Sequence, residues 1–337
     1  MSPFVPRLAF IQEAALAYPL GRELMNRLKA EDVEVSVYEK KIPLSTQKTF
    51  AERFFLSKRT MVVLVWKRRD FQTCRPSAHY QLPLVSGCPG SCQYCYLNTN
   101  LGRTPYVKVY VNIEDILGRA RDYVDERSPA ITVFEGSATS DPVAVEAWTG
   151  SLQRTIRFFA ALDNARFRFV TKYTDIGGLL GIPHKGKTEV RFSVNCNYAL
   201  ESFETGTPRL QNRLRAAREV ARAGYPLGFL VGPIFVFEGW RGEYTKLLHA
   251  VRDYVPDDIG VTIELITHRF TARSKKVIEQ VYPGTQVPLD EEERRFKHGQ
   301  FGYGKYVYPD NVMTEIREFF ERQIGAVLPH ARILYVV

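Results

Sequence analysis

The sequence predicts an α/β fold, a partial (β/α)6 TIM-like barrel, open on one side, with N-terminal and C-terminal extensions. Three observations predict it. From residue 78 to residue 270, strand-like apolar runs alternate with stretches of helical period, the pattern of parallel strands joined by crossover helices. Six such units fall short of the eight that close a barrel. A chain of 337 residues can bury one large core and still carry additions at each end. The division expected is residues 1–77 as an α/β extension packed on the barrel, 78–270 as the core, and 271–337 as an extension with a substrate- or DNA-contacting segment.

Each element has its own signal. Residues 20–28 read as a helix with Leu24 and Leu28 on one face, and 49–56 as a second short helix. Residues 61–66 are a continuous apolar run, expected to be a buried strand. Lys67-Arg68-Arg69 follows as either a phosphate contact or a solvated turn. The six core strands are expected at 78–85, 130–134, 166–171, 189–194, 227–231 and 259–266. The helices between them are expected at 113–124, 145–162, 177–180, 210–223 and 242–254. Beyond 270 the alternation stops. A basic stretch covers 271–276, and aromatics, glycines and a lysine interleave over 300–308. A last helix is expected at 312–324, capped by Asp310 or Asn311, and a final strand at 333–337.

Composition narrows the class. The chain is 45% apolar and 25% charged, ordinary for a soluble protein. It has no charged-then-apolar leader and no run of eighteen apolar residues, so secretion and a membrane span are not expected. Five cysteines, an odd number, point to a reducing cytoplasm and to metal or redox use. A net charge of +9 suits a polyanionic partner such as nucleic acid.

The chemistry centres on Gly87-Cys88-Pro89-Gly90-Ser91-Cys92-Gln93-Tyr94-Cys95-Tyr96. Cys88, Cys92 and Cys95 have the spacing C-x3-C-x2-C in a short loop after a strand. Three thiolates there can hold three irons of a [4Fe–4S] cluster and leave the fourth open to a small molecule. Structural zinc is the alternative, but it wants four ligands and the nearest further candidate is His79. A disulfide would strand one thiol. Glu135 to Asp141, with Gly136, Ser137, Ala138 and Ser140, follows the second core strand, so it belongs on the face where barrel chemistry gathers. Its small residues let backbone approach a ligand; Ser140 or Asp141 capping the next helix is the plainer reading. Lys172 ends the third strand and Ser193 lies on the fourth. A cation and a hydroxyl at the barrel mouth suit a carboxylate, while a solvated loop lysine is the alternative for Lys172. Gly232 closes the fifth strand, either making room for a flat ring or turning the chain. Tyr303 and Lys305 could stack on bases and touch phosphates; aromatics packing the barrel rim would look the same.

The cysteine spacing with its aromatic is similar to the motif of the radical S-adenosylmethionine enzymes. That resemblance implies a cluster whose open iron is chelated by the methionyl group. It places Tyr94 near the adenine and the 136–140 loop at the methionyl amine. The whole chain resembles the spore photoproduct lyase family, on three segments: Gly87 to Tyr96, Thr139-Ser140-Asp141-Pro142, and Gln300-Phe301-Gly302-Tyr303-Gly304-Lys305-Tyr306. This implies repair of 5-thyminyl-5,6-dihydrothymine, the thymine dimer of ultraviolet-irradiated spore DNA, by a 5′-deoxyadenosyl radical that takes hydrogen from C6. A hydrogen then returns to the product. The partners implied are damaged DNA with its lesion flipped out and an electron donor such as flavodoxin or ferredoxin. A monomer in the spore core cytoplasm is expected. In the family a loop cysteine returns the hydrogen, with a tyrosine beside the cluster. Tyr96 matches the tyrosine, but Ala138 stands at the cysteine position. The chain therefore reads as a variant with impaired or aberrant repair. Gly232, where alanine is expected, is a second departure. The competing readings are another radical enzyme acting on nucleic acid, and a non-catalytic metal-cluster DNA-binding protein.

Overall fold

In the computed structural model, which describes residues 4–43, 49–68, 70–256, 259–298 and 304–337, all six expected core strands form. The chain begins with β1 (Leu8–Gln12), α1 (Pro19–Ala30), β2 (Glu34–Tyr38), α2 (Phe50–Lys58) and β3 (Thr60–Leu64). Next come β4 (Thr73–Cys74), β5 (Ala78–Gln81), β6 (Val85–Ser86), α3 (Leu97–Asn100), β7 (Val107–Tyr110) and α4 (Ile113–Arg127). The repeating part continues with β8 (Thr132–Glu135), α5 (Val143–Thr149), α6 (Ser151–Ala160), β9 (Ala165–Thr171), α7 (Gly177–Leu180), β10 (Thr188–Val194), α8 (Asn197–Phe203) and α9 (Leu210–Arg222). It ends with β11 (Leu227–Ile234), α10 (Trp240–Tyr254) and β12 (Val261–Thr267). The tail adds α11 (Ala272–Val281), β13 (Arg295–His298), β14 (Gly304–Val307), α12 (Asp310–Val327) and β15 (Arg332–Val336).

Two sheets carry the fold. The larger runs β15-β12-β11-β10-β9-β8-β5-β4, parallel throughout except the β4–β5 edge pair. Its end strands do not pair with each other, so the barrel stays open. The smaller runs β2-β1-β3-β7-β6 and takes its last two strands from beyond residue 77. Among the described residues no helix is long and apolar enough to cross a membrane.

Strand alternation splits the large sheet into two chemically different faces. Phe167, Phe169, Val190, Phe192, Phe229 and Ile263 are buried on the outer face, in the core under the helices. Each such side chain contributes roughly 1.5–3 kcal/mol. On the inner face the register sets Glu135 beside Arg168, Arg168 beside Glu189, and Arg191 beside Gly228. Arg168 reaches Glu264 and Glu189 at 2.7 Å each. Arg191 reaches Glu264 at 2.7 Å and pairs with Glu135. A Cβ on Gly228 would lie 2.8 Å from Arg191 Cγ and 2.4 Å from Thr262 Oγ1, so only glycine lets the guanidinium cross the sheet.

Four expectations are corrected. The first core strand is not continuous over 78–85. Pro83 has no N–H for the ladder, so pairing stops at Gln81 and the chain crosses to β6 in the small sheet. The single helix at 145–162 is two helices, broken at Gly150, whose φ of 58 is left-handed. Neither Asp310 nor Asn311 caps the last helix. Pro309 holds the cap position, and Asp310, in the first turn, pairs with Arg295 at 2.6 Å. The basic stretch at 271–276 opens helix α11, whose capping box joins Thr271 to Ser274.

Candidate cluster, cofactor and lesion site

The cysteine loop is held from both sides by backbone. Gly87 has φ +88, and a Cβ there would sit 2.1 Å from the Tyr106 carbonyl oxygen, so glycine is required. Its N–H donates to Thr139 O at 2.8 Å, and Gly87 bridges Ser140, which joins the cysteine loop to the loop after β8. On the other side Ser91 N donates to Thr205 O at 2.8 Å and Gln93 N to Phe203 O at 2.9 Å. Asn98 Nδ2 donates to Cys92 O at 2.9 Å, and Lys58 Nζ to Cys88 O at 3.1 Å. Gly90 N–H points at Cys88 Sγ, 3.3 Å away; a Cβ on Gly90 would meet Thr207 at 2.9 Å.

Burial pushes the Cys88 thiol up to about 12 and the Cys92 thiol up to about 11. Such groups ionise when a metal takes them, and the donor set, three soft thiols in one pinned loop, fits iron–sulfur chemistry. Among the described residues no three His, Cys, Asp or Glu side chains converge on one ion-sized point.

Beside the loop lies a buried charge cluster that the sequence does not advertise. Glu204 takes Lys172 Nζ at 2.5 Å and Arg213 at 2.5 Å, and accepts a hydrogen bond from the Tyr94 hydroxyl. Burial works to raise the Glu204 pKa, but Lys172 and Arg213 hold it at about 2. Lys172 also donates to Tyr94 Oη at 2.6 Å and stands 3.6 Å from Cys92 Sγ. It is a half-buried, paired lysine rather than a solvated one.

The loop after β8 is equally constrained. A Cβ on Gly136 would strike the Phe167 ring at 2.7 Å. Ser137 Oγ donates to Glu135 at 2.5 Å and accepts from Val170 N at 2.7 Å, so its hydroxyl is committed. Ser140 Oγ is buried without a partner. Neither Ser140 nor Asp141 caps the next helix, whose cap position is Pro142. Asp141 turns instead to Thr171 Oγ1 at 2.7 Å and Lys172 N at 2.8 Å, and burial raises its pKa to about 6. Tyr96 donates its hydroxyl hydrogen to Ala138 O. Ser193 is buried, shares the inner face with Leu230, and its carbonyl accepts from Arg213 at 2.9 Å. Around Gly232 there is little spare room: a Cβ would be 3.1 Å from both Ile266 Cβ and Leu230 Cδ2.

Ala138 opens onto a cleft of about 760 Å3 lined among others by Arg68, Gln81, Ser86, Thr139, Arg273 and Phe296. The β13–β14 hairpin stands at its edge, since Phe296 and Gly304 both line it. Lys305 lies opposite Lys297, and burial together with Arg269 and Lys297 lowers its pKa, the mark of a positive rim. Tyr303 lies outside the described residues, as do Gln300, Phe301 and Gly302.

The structure thus gathers the three cysteines, Tyr94, Tyr96, the 136–141 loop and Lys172 in one place. Glu204, Arg213 and the Arg168–Arg191–Glu264 network escaped sequence reasoning. The usable signal was a lone Glu264 inside the apolar run Val261-Thr262-Ile263-Glu264-Leu265-Ile266.

Comparison with known proteins follows this geometry. The family model "Spore photoproduct lyase" matches residues 4–337. The spore photoproduct lyase of Clostridium acetobutylicum is 45% identical, covering 98% of each chain. A solved spore photoproduct lyase with a cysteine-to-alanine and a serine-to-cysteine substitution, bound to AdoMet and the dinucleoside spore photoproduct, superposes with TM-score 0.97 at 43% identity over 100% of both chains. A tyrosine-to-phenylalanine mutant gives TM-score 0.94 at 42% identity, again over 100% of both. The replaced cysteine and serine of the double mutant have the same sequence separation as Ala138 and Cys74. The replaced tyrosine and cysteine have that of Tyr96 and Ala138.

Proposed function

The chain belongs to the spore photoproduct lyase family, and from that premise we propose that it splits 5-thyminyl-5,6-dihydrothymine in damaged DNA back to two thymines. Its cofactors are a [4Fe–4S] cluster and S-adenosylmethionine. One observation carries the reading: Gly87 N–H and Thr139 O, 2.8 Å apart, lock the three-cysteine loop to the loop of Ala138, at the mouth of a basic cleft. When bound, the cofactor pair would supply the radical chemistry for taking a hydrogen from C6 of the lesion.

This chain's residues do the rest. Cys88, Cys92 and Cys95 would hold the cluster. Glu204 and Lys172 fix the Tyr94 ring beside them for the adenine. The unpartnered Ser140 hydroxyl and the close backbone at Gly136 receive the methionyl amine. Lys172 and Ser193 serve its carboxylate, with Gly232 on the same inner face. Ser137 shapes the loop through Glu135 and Val170. Arg68, Arg273 and Lys305, with Tyr303 beyond the described hairpin strands, meet phosphates and bases of an extruded lesion, since a stacked dimer cannot enter the cleft. A small electron-transfer protein such as flavodoxin or ferredoxin reduces the cluster, and a monomer in the spore core is the working state.

Lys172→Met tests the cofactor assignment. It should weaken S-adenosylmethionine binding to the cluster-loaded chain by about 10- to 100-fold while iron content stays unchanged. Unchanged affinity by calorimetry would remove Lys172 from the cofactor site. For the substrate, lesion dinucleotide should bind at least about tenfold tighter than undamaged thymidylyl-thymidine. Equal affinity for the two would contradict the lesion assignment.

A further inference from the structure

Lys58 is the last residue of α2 and is 1% exposed, yet among the described residues no carboxylate pairs with it. Its Nζ donates to Cys88 O at 3.1 Å and stands 5.6 Å from the centroid of the Phe54 ring. An ammonium taken out of water is costly unless a negative charge compensates it. One carbonyl and one ring do not balance a full charge in the interior. A helix C-terminus favours a cation, but Arg59, the exposed residue next in the chain, can meet that need from solvent. The fold nonetheless fixes this side chain. Thr49 and Glu52 form a capping box at the start of α2, and Phe54 packs edge-on against Tyr282 at 6.2 Å. The Tyr282 hydroxyl donates to Ser91 O at 3.1 Å, so Lys58 and Tyr282 brace two carbonyls of the cysteine loop. The other lysine at the loop is already matched, since Lys172 lies against Glu204 at 2.5 Å. Burial and then Asp141 push the Cys88 thiol up, and Lys58 works against both, which puts its charge within reach of that sulfur.

We infer that Lys58 is a fixed counter-charge for the iron–sulfur cluster, holding its reduction potential within reach of a one-electron carrier protein. The inference rests on the cluster assignment of the proposed function. Three cysteinates around an oxidised [4Fe–4S] core leave a net negative charge, and reduction adds one electron and one more negative charge. That electron comes from the small electron-transfer protein named above, which is itself oxidised by one electron; no bond or proton changes at Lys58. An ammonium fixed in a medium of low dielectric favours the more negative of the two states, whereas a solvated one is screened. The same reasoning explains why this charge is buried without a carboxylate. A glutamate beside Lys58 would cancel its field at Cys88, as Glu204 does for Lys172. Lys58 thus acts on the electron step alone, through the cluster, and serves neither the lesion nor S-adenosylmethionine.

The test reads a potential, not turnover. Parent and variants are reconstituted anaerobically without S-adenosylmethionine, their iron is counted, and the reduced fraction is followed by electron paramagnetic resonance in a redox titration. At the parent's midpoint, Lys58→Met should lower the ratio of reduced to oxidised cluster by about tenfold, a midpoint about 59 mV more negative for a one-electron couple. Lys58→Gln keeps a donor for Cys88 O without the charge, and should fall by the same amount. Lys58→Arg keeps the charge, and should stay within about threefold of the parent. Should Lys58→Met not fold, the Gln and Arg variants carry the comparison between them. A second arm uses the metal-free chain, in which Lys58→Met should unfold at no lower denaturant than the metal-free parent, because it removes a buried charge that has no partner. A Met or Gln variant with the parent's midpoint, or a metal-free Met variant less stable than its parent, would overturn the inference and leave Lys58 as a fastener of the loop. A parent that takes up no iron would instead overturn the cluster assignment it rests on.

Discussion

A Cys92→Ala chain should keep its fold and lose its cluster. Cys92 is one of the three thiols proposed to hold the irons, and its sulfur lies 3.6 Å from the Lys172 ammonium. Two remaining protein ligands do not retain a cubane whose fourth iron is already open. The loop itself does not depend on the thiol. Gly87 N to Thr139 O, Ser91 N to Thr205 O and Gln93 N to Phe203 O are backbone bonds that alanine leaves in place. Iron after anaerobic reconstitution should fall from about four per chain to background. Cofactor cleavage should fall with it, while the far-ultraviolet circular dichroism stays as in the parent. Full iron retention would show that other groups hold the metal.

Arg191→Met should be the most destabilising single change on the inner face of the barrel. Arg191 is 1% exposed, bonds Glu264 at 2.7 Å and pairs with Glu135. Removing it leaves Glu135 supported chiefly by the hydroxyls of Ser77 and Ser137. Breaking a buried ion pair from one side costs about 3–5 kcal/mol, because a charge is left behind without compensation. Chemical denaturation measures the loss. Its pH dependence identifies the cause. Burial raises the Glu135 pKa, but Arg191, the Ser137 and Ser77 hydrogen bonds and Arg168 together outweigh it, so in the parent the carboxyl sits below its ordinary value. That contribution is present at neutral pH and is lost as the pH falls through the folded pKa. Without Arg191 the carboxyl rises, protonates on mild acidification and ceases to be a buried charge. The stability gap between Arg191→Met and parent should therefore narrow as pH falls. A gap independent of pH would mean that packing, not charge, holds Arg191. Since Glu135 also accepts from Ser137 N at 3.1 Å, the same change should loosen the cofactor loop.

The core was legible where local pattern decides. Strands at 166–171, 189–194 and 227–231 are β-branched and aromatic runs at regular spacing, and they appear as β9, β10 and β11. The three cysteines declare themselves because their spacing is local. The rest depends on distance in space. Glu204 meets Lys172, Arg213 and Tyr94 from separate elements, and no window of sequence contains all four. Cys74 read as a leftover thiol because β4 has only two residues, too few for a strand signal. Helix α11 was hidden by Arg273, Lys275 and Lys276 on its polar face, although Ile278 and Val281 are buried on the other. The break at Pro83 was visible in the sequence. The crossing it permits, from the large sheet to the small one, was not.

The measurement that tests the account most directly is anaerobic. The cluster is reconstituted and reduced, S-adenosylmethionine and a dinucleotide carrying the spore photoproduct are added, and the products are weighed by mass spectrometry. The account predicts thymine formed from the lesion. Cleavage of S-adenosylmethionine with the lesion untouched would contradict it.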